Sequence, residues 1–376
     1  MPMADRLAPD ELVAYIRRHV VVDDKVIAGA DLRGLDLSGA VFQKVNFDRS
    51  NFAEAKLDDC NFLECSFENA DFGGVDLSEV LFSECACTGM SLASAILKET
   101  TFNDCGLQQV SFHEANLQDA AIIESVVYSA DFTQANLKDT NFCKSVVQHC
   151  DFRRSNMDFT VFAECQIVAP EFSGVSMARV VFYKSDLQGA NLEGASFDMC
   201  TLMGIDLEGV DLHGIDFSRT QFAGSKLAGC DFSGCNLQQC NFEESDLRGA
   251  NLERVHAPMA LFCRANGEGA NFKGSDLTQA LFVGASLDRA VFTACQALQT
   301  NWVGASLAGA QLAGMELTYA DFSHADLTEA DLTDSVLVRA VLHGIRDQDA
   351  RIPDRGAALA PDRERLASDR WTLQNG

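Results

Sequence analysis

A beat of five limits what this chain can fold into. From Leu32 to Leu342 every position whose number ends in 2 or 7 is reserved for a bulky apolar residue, and the frame does not slip. Of 63 such positions, 59 carry Leu, Phe, Ile, Val, Met or Trp; the departures are Cys87, Ala257, Gly267 and Ala297. Of the 26 Phe, 25 lie on the beat, with Phe159 outside it. Numbers ending in 0 or 5 carry small residues, those ending in 1 or 6 carry Asp or Asn at 30 of 63 places, and those ending in 4 or 9 hold 22 of the 27 Gly. A helix needs a period near 3.6 and a half-buried strand a period of 2. A sustained short repeat points instead to a solenoid, in which each unit buries its face only against its neighbours.

Five residues make a plausible side of a coil. On an extended segment, residues two apart face the same way, so the small residue and the bulky one two later both point inward. A turn then swings the chain to the next side, and glycine tolerates the positive φ that type II turns demand. Four sides close a coil of about 20 residues, so positions twenty apart stack. Phe42, Phe62, Phe82 and Phe102 then head one column, and Phe52, Phe72, Phe112 and Phe132 the column opposite.

Segments such as ADLRGLDLSGA (Ala30 to Ala40), SDLQGANLEGASF (Ser185 to Phe197) and ADFSHADLTEADL (Ala320 to Leu332) resemble the pentapeptide-repeat family. The resemblance covers more than four fifths of the chain. It implies an all-β solenoid, a right-handed quadrilateral parallel β-helix, here of about 16 coils from the 63 in-frame positions. The expected organisation is an N-terminal helical cap over 1–26, the repeat β-helix over 27–344 and a C-terminal tail over 345–376 with a short helix. Pro9, Asp10 and Glu11 suit a helix start, and Leu12, Tyr15 and Ile16 give it an apolar face. Pro361, Asp362 and Glu364 suit the start of the tail helix, and Leu359, Leu366 and Trp371 could dock on the last coil.

Composition narrows function. The formal charge is −26 over 376 residues, which disfavours direct binding of nucleic acid or anionic membrane and favours basic partners. No secretory signal or apolar run of spanning length is seen, so a cytoplasmic bacterial location is expected. Eleven of the 14 Cys occupy the small inward position, where a buried thiol packs as a small hydrophobe. The seven His are scattered, and no metal-ligand spacing, phosphate loop or nucleophile motif is present. No catalytic residue, cofactor or metal is expected, and the chain reads as a non-enzyme. In 256–269, Ala257 and Gly267 underfill the core, so either a distorted coil or a site is expected there.

The outer surface distinguishes the walls. One wall carries Val41, Leu63, Leu81, Ile123, Val161, Val181, Tyr183, Leu261, Leu281 and Val283 among its outward residues, an apolar side suited to a partner. Its corners carry Asp59, Glu79, Glu99, Asp119 and Asp139 on one edge and Glu64, Glu84, Asp104 and Glu124 on the other, an acidic rim. The opposite wall is polar, running through Asp31, Asn51, Asp71, Ser91 and Ser111. The reading is a protein-interaction scaffold or adaptor that takes a basic protein partner, or a second copy as a homodimer, on the apolar side. A helix followed by a long regular coil is similar to pentapeptide-repeat accessory proteins of type VI secretion, implying an effector-loading role. The alternative resembles the family's topoisomerase-protecting members, acidic DNA mimics at gyrase. Against that alternative, no loop insertion breaks the frame here, and the tail is charged.

Overall fold

The computed structural model describes residues 5–353 and 355–359 and forms two compact units, Met1–Ser196 and Phe197–Gly376. Both are parallel β-solenoids. Residues twenty apart pair in parallel: Phe42 with Phe62 and Phe62 with Phe82 in the first unit, Thr201 with Gln221 and Leu261 with Leu281 in the second. The backbone turns every five residues. From His19 to Asp349 each residue whose number ends in 4 or 9 has positive φ, at 22 glycines and 45 other residues. Residues ending in 2 or 7 and in 0 or 5 point inward and are almost all buried.

In the first unit one wall is a nine-stranded parallel sheet. Its strands run from Val22–Asp23 through Val41–Gln43, Asn61–Leu63 and Leu81–Ser83 to Val181–Tyr183. The wall after it holds five strands, from Gly106–Gln108 to Asp186–Gln188. Nine strands in the longest sheet is fewer than the sixteen coils expected, because from Thr201 onward the ladder persists as single bridging pairs. Winding also begins ahead of the boundary expected at residue 26, since Val22 already pairs with Phe42. The helix is Pro9–Arg17, with Pro9 in its first turn and the Glu11 carboxylate accepting the Ala8 N–H at 3.0 Å. Leu12 is fully buried. At the far end Arg351 still pairs with Asp331, but Leu359 pairs with Val341, eighteen residues back instead of twenty, so the register slips by two after Arg351. The expected tail helix and the docking of Leu366 and Trp371 lie outside the described residues.

The two kinds of wall reflect two kinds of corner. At one, the chain closes a type II turn: the Leu35 N–H donates to the Leu32 carbonyl at 3.2 Å, with Gly34 at φ +67° supplying the positive φ. Here the Asp or Asn that opens the side caps the N–H two residues on: Asn51 accepts from Ala53 at 2.9 Å and Asp71 from Gly73 at 3.0 Å. At the other corner, after a three-residue strand, the turn bond is missing among the described residues save after Asp186–Gln188, where the Ala190 N–H donates to the Leu187 carbonyl at 3.0 Å. Lys44, Glu64, Glu84 and Asp104 there sit in the left-handed region at φ 52–55°. The ladder takes the strand's amides, so no Asx cap is needed, and Val, Leu, Thr and Ala can replace Asp.

The missing turn bond is replaced from the next rung. Ser125 accepts the Cys105 N–H at 3.0 Å and donates to the Ile123 carbonyl at 2.8 Å; Ser145 accepts the Ser125 N–H at 3.1 Å. The thiols of Cys65, Cys85, Cys105 and Cys165 point at the carbonyl 23 residues back, at 3.4 to 3.6 Å. The small inward column is thus a ladder of hydrogen-bonding side chains as well as filler. The centre is dry and aromatic. Phe42, Phe62, Phe82 and Phe102 stack at centroid spacings of 4.9 to 5.0 Å, and Phe102 meets Phe112 of the opposite column edge-on at 6.1 Å. In the second unit Trp302 continues such a stack, 4.1 Å from Phe282, and its indole N–H donates to Thr300 at 2.8 Å.

Candidate functional site

The strand ladder fixes what shares a face. In the first unit Val41, Asn61, Leu81, Thr101 and Ala121 follow one another in register, and Gln43, Leu63, Ser83, Asn103 and Ile123 run beside them. Asn141 precedes Val161 and Val181, and Cys143 and Ala163 precede Tyr183. All seven apolar residues expected in this unit therefore lie on one sheet, interleaved with Asn and Thr. Most are half-buried by the rungs above and below; Tyr183 is 44% exposed. In the second unit Leu261 and Leu281 are bridged neighbours, and Val283 follows Leu281 on the same side.

All nine rim carboxylates occupy left-handed corners, with φ between 51° and 65°. Holding a non-glycine residue there costs on the order of 1 kcal/mol, as it does wherever the frame turns without glycine. Their surroundings differ. Glu64 has Lys44 at 3.7 Å, Glu99 has Lys98 at 3.5 Å, Glu124 has Lys144 at 3.5 Å and Asp139 has Lys138 at 3.8 Å. Among the described residues Asp59, Glu79, Glu84, Asp104 and Asp119 have no cation within 4.0 Å. Glu79 and Glu84 bracket the strand Leu81–Ser83, so the uncompensated charge is densest on the Leu81 rung. Further along, the same corners turn basic: Arg179 lies over the Phe159 ring at 5.1 Å and Lys184 over the Tyr183 ring at 5.1 Å.

No group of three or more His, Cys, Asp or Glu among the described residues is placed to hold a metal ion. Burial raises the thiols, to about 12 at Cys60 and Cys150 and about 11 at Cys165. Cys143 and Cys263 alone are not buried. The segment 256–269 is a regular coil, not a distorted one. Ala257 is fully buried, and a Cβ on Gly267 would meet Leu287 Cδ2 at 2.8 Å, so Leu287 from the next rung fills the space. His256 sits 3.1 Å from Asp276 on the outside. One hollow in the first unit, about 540 Å³, is an open notch lined by Thr133, Gln134, Arg153, Arg154, Ser173 and Gly174.

Two things escaped sequence reasoning. The inward Cys, Ser and Thr are backbone partners, a role hinted at by their interchange in one column at Cys105, Ser125, Ser145 and Cys165. The outward Asp and Asn are turn caps, hinted at by their recurrence three residues before a corner.

A solenoid turning every five residues, with the bulky apolar residue at the centre of each side, defines the class. The chain belongs to the pentapeptide-repeat family. The Pentapeptide repeats family matches residues 128–167 and, in overlapping stretches, 170–344; the Pentapeptide repeat region family matches 26–91. No curated protein matches the chain. Among solved structures, full-length QnrB1, a plasmid-mediated fluoroquinolone resistance protein, is 19% identical over 59% of this chain and 92% of its own, with a TM-score of 0.28. HetL, involved in heterocyst differentiation regulation in the cyanobacterium Nostoc, is 20% identical over 72% of this chain and 90% of its own, with a TM-score of 0.17. A pentapeptide repeat protein of the Arabidopsis thaliana thylakoid lumen is 28% identical over 27% of this chain and 68% of its own, with a TM-score of 0.17.

Proposed function

We propose that the chain is a non-enzymatic protein-interaction scaffold that docks a basic partner on the wall carrying Leu63, Leu81, Val161 and Val181. One observation carries the reading: in a chain of net charge −26, the Leu81–Ser83 strand lies between Glu79 and Glu84, neither with a cation inside 4.0 Å among the described residues. An apolar centre with a charged border is the anatomy of a protein interface, and the border selects cationic partners. A filled aromatic core and shallow hollows favour binding over catalysis. An adaptor in bacterial cytoplasm, loading an effector for type VI secretion, is the setting the repeat architecture suggests.

The test is affinity capture with the purified chain, wild type against Leu81→Lys and against Glu79→Lys with Glu84→Lys. Both changes should abolish capture of the same protein. Capture unaltered by either would sink the wall as the docking face. A second reading, mimicry of duplex DNA toward gyrase or another topoisomerase, draws on the rim carboxylates repeating at one strand spacing, about 4.8 Å. It predicts that the chain inhibits or protects gyrase in a supercoiling assay and that the Glu79 and Glu84 reversals remove the effect while Leu81→Lys does not.

A further inference from the structure

In the second unit the rungs from Met259 to Val303 show Leu261, Leu281 and Val283 on one wall, and there we infer that a second copy of this chain docks. This deepens the docking reading for one stretch, from Met259 to Val303, and rests on it only in taking an outer wall of the solenoid as a protein-binding face.

Three observations converge on that stretch. First, its rungs close as type II turns, where an outward Asn or Asp caps the N–H two residues on. Asn241 caps Glu243 at 2.9 Å, Asn301 caps Val303 at 3.0 Å and Asp321 caps Ser323 at 2.8 Å. Leu261 and Leu281 hold that place in adjacent rungs, and among the described residues the amides of Cys263 and Val283 have no acceptor. Nothing in the coil needs leucine there. Two adjacent rungs that forgo the cap for large apolar side chains make a contiguous apolar patch, the mark of an interaction surface. Second, the borders carry no carboxylate. One corner carries Met259, Gln279 and Gln299, the two glutamines bonded to each other at 2.9 Å. The other carries Gly284 and Gly304 beyond Arg264, which is bound to Glu243 at 2.6 Å and Glu244 at 2.9 Å. Third, this contrasts with the nine-stranded wall of the first unit, where nine carboxylates line the corners. Two copies of a chain of net charge −26 repel; meeting at the first unit's wall sets carboxylate against carboxylate, while the wall of the Leu261, Leu281 and Asn301 rungs and its corners carry none. A two-fold axis at the Leu281 rung would set the Leu261 rung of each copy against the Asn301–Val303 rung of the other, a closed isologous contact.

Sedimentation velocity of the full chain over a dilution series tests this. The expected mass is about 82 kDa, twice the 40.8 kDa chain. The doublet Gly284→Glu with Gly304→Glu puts carboxylates on the border and nothing in the core: a Cβ on Gly304 meets nothing within 4 Å and one on Gly284 only Arg264 Cγ at 3.7 Å. It should sediment as monomer. Gly229→Glu with Gly249→Glu adds the same charge at equally open corners elsewhere in the unit and should stay dimeric. A wild-type monomer at the highest concentration, or equal dissociation of both doublets, overturns the proposal. Loss of partner capture by Leu81→Lys with the dimer intact would separate this inference from the docking of a partner on the first unit.

Discussion

The ladder of buried Ser and Cys makes a sharp energetic forecast at Ser125. Its hydroxyl, 1% exposed, is the acceptor for the Cys105 amide at 3.0 Å and donates to Ile123 and Phe102 carbonyls at 2.8 and 3.4 Å. Among the described residues the Cys105 amide has no backbone acceptor, because the corner it occupies closes without a turn bond. Ser125→Ala therefore strands a buried N–H, which costs about 1–3 kcal/mol. Thr140 is the control. Its hydroxyl donates to the Leu117 carbonyl at 2.8 Å, but that carbonyl also receives the Ala120 N–H at 2.9 Å. Thr140→Val strands no amide and should cost about 0.5–1 kcal/mol. Ser125→Cys should cost less than Ser125→Ala, since the thiols of Cys65, Cys85, Cys105 and Cys165 fit that column and keep the contact to the carbonyl 23 residues back. Urea unfolding gives the ranking, and hydrogen exchange at the Cys105 amide gives the local effect: Ser125→Ala should speed it by about five- to a hundredfold, since 1.4 kcal/mol is a factor of ten. Equal costs for Ser125→Ala and Thr140→Val, with unchanged Cys105 exchange, would refute the reasoning.

Other outcomes follow from the same geometry. Cys143 and Cys263 should react with a thiol reagent in the native protein while the other 12 of the 14 wait for unfolding; fast reaction of Cys85 would contradict the packing. Burial raises the thiols from an ordinary value of 9.0 to about 11 at Cys165 and Cys230 and about 12 at Cys60, Cys150, Cys235 and Cys295. Their contribution is complete below pH 9 and declines as pH rises toward 11 to 12, because the unfolded chain releases protons first; urea midpoints should fall over that range, less so when these cysteines are serine. Gly267→Ala should cost about 1–3 kcal/mol by driving a Cβ into Leu287, and Leu287→Val should recover part of it. Leu261→Asn should stabilise the fold by about 0.5–1 kcal/mol by capping the Cys263 amide while weakening self-association, the trade expected where stability yields to binding.

Much of this was legible in the chain. The beat of five placed the Phe columns, the corner positions and the register of Val41, Leu81 and Val181 on one wall, because a period that never slips leaves no freedom in stacking. The division of corners into turn and strand types was not legible, since both occupy five residues and keep the same frame. That hid why Asp and Asn recur: at Asn51 and Asp71 they cap a turn, so the polar look of the opposite wall is partly local chemistry. It also means that Val41 or Val161 on a strand rung is unremarkable, whereas Leu261 on a turn rung is not. Gly267 was legible as underfilling, but not that Leu287 fills it, because that needs the reach of a side chain across rungs. The rim's position was readable from numbering; its pairing with Lys44, Lys98, Lys138 and Lys144 depends on side-chain conformations.

The claim that one wall is the docking face is most directly tested by photocrosslinking. A crosslinking residue is placed at Ser83, on the wall between Glu79 and Asp104, and separately at Gly73, on the opposite, turn-type wall, whose amide Asp71 caps. The account predicts a crosslinked protein partner from Ser83, lost on adding Glu79→Lys, and none from Gly73. The same partner crosslinking from Gly73, or from Ser83 regardless of the charge at residue 79, would contradict it.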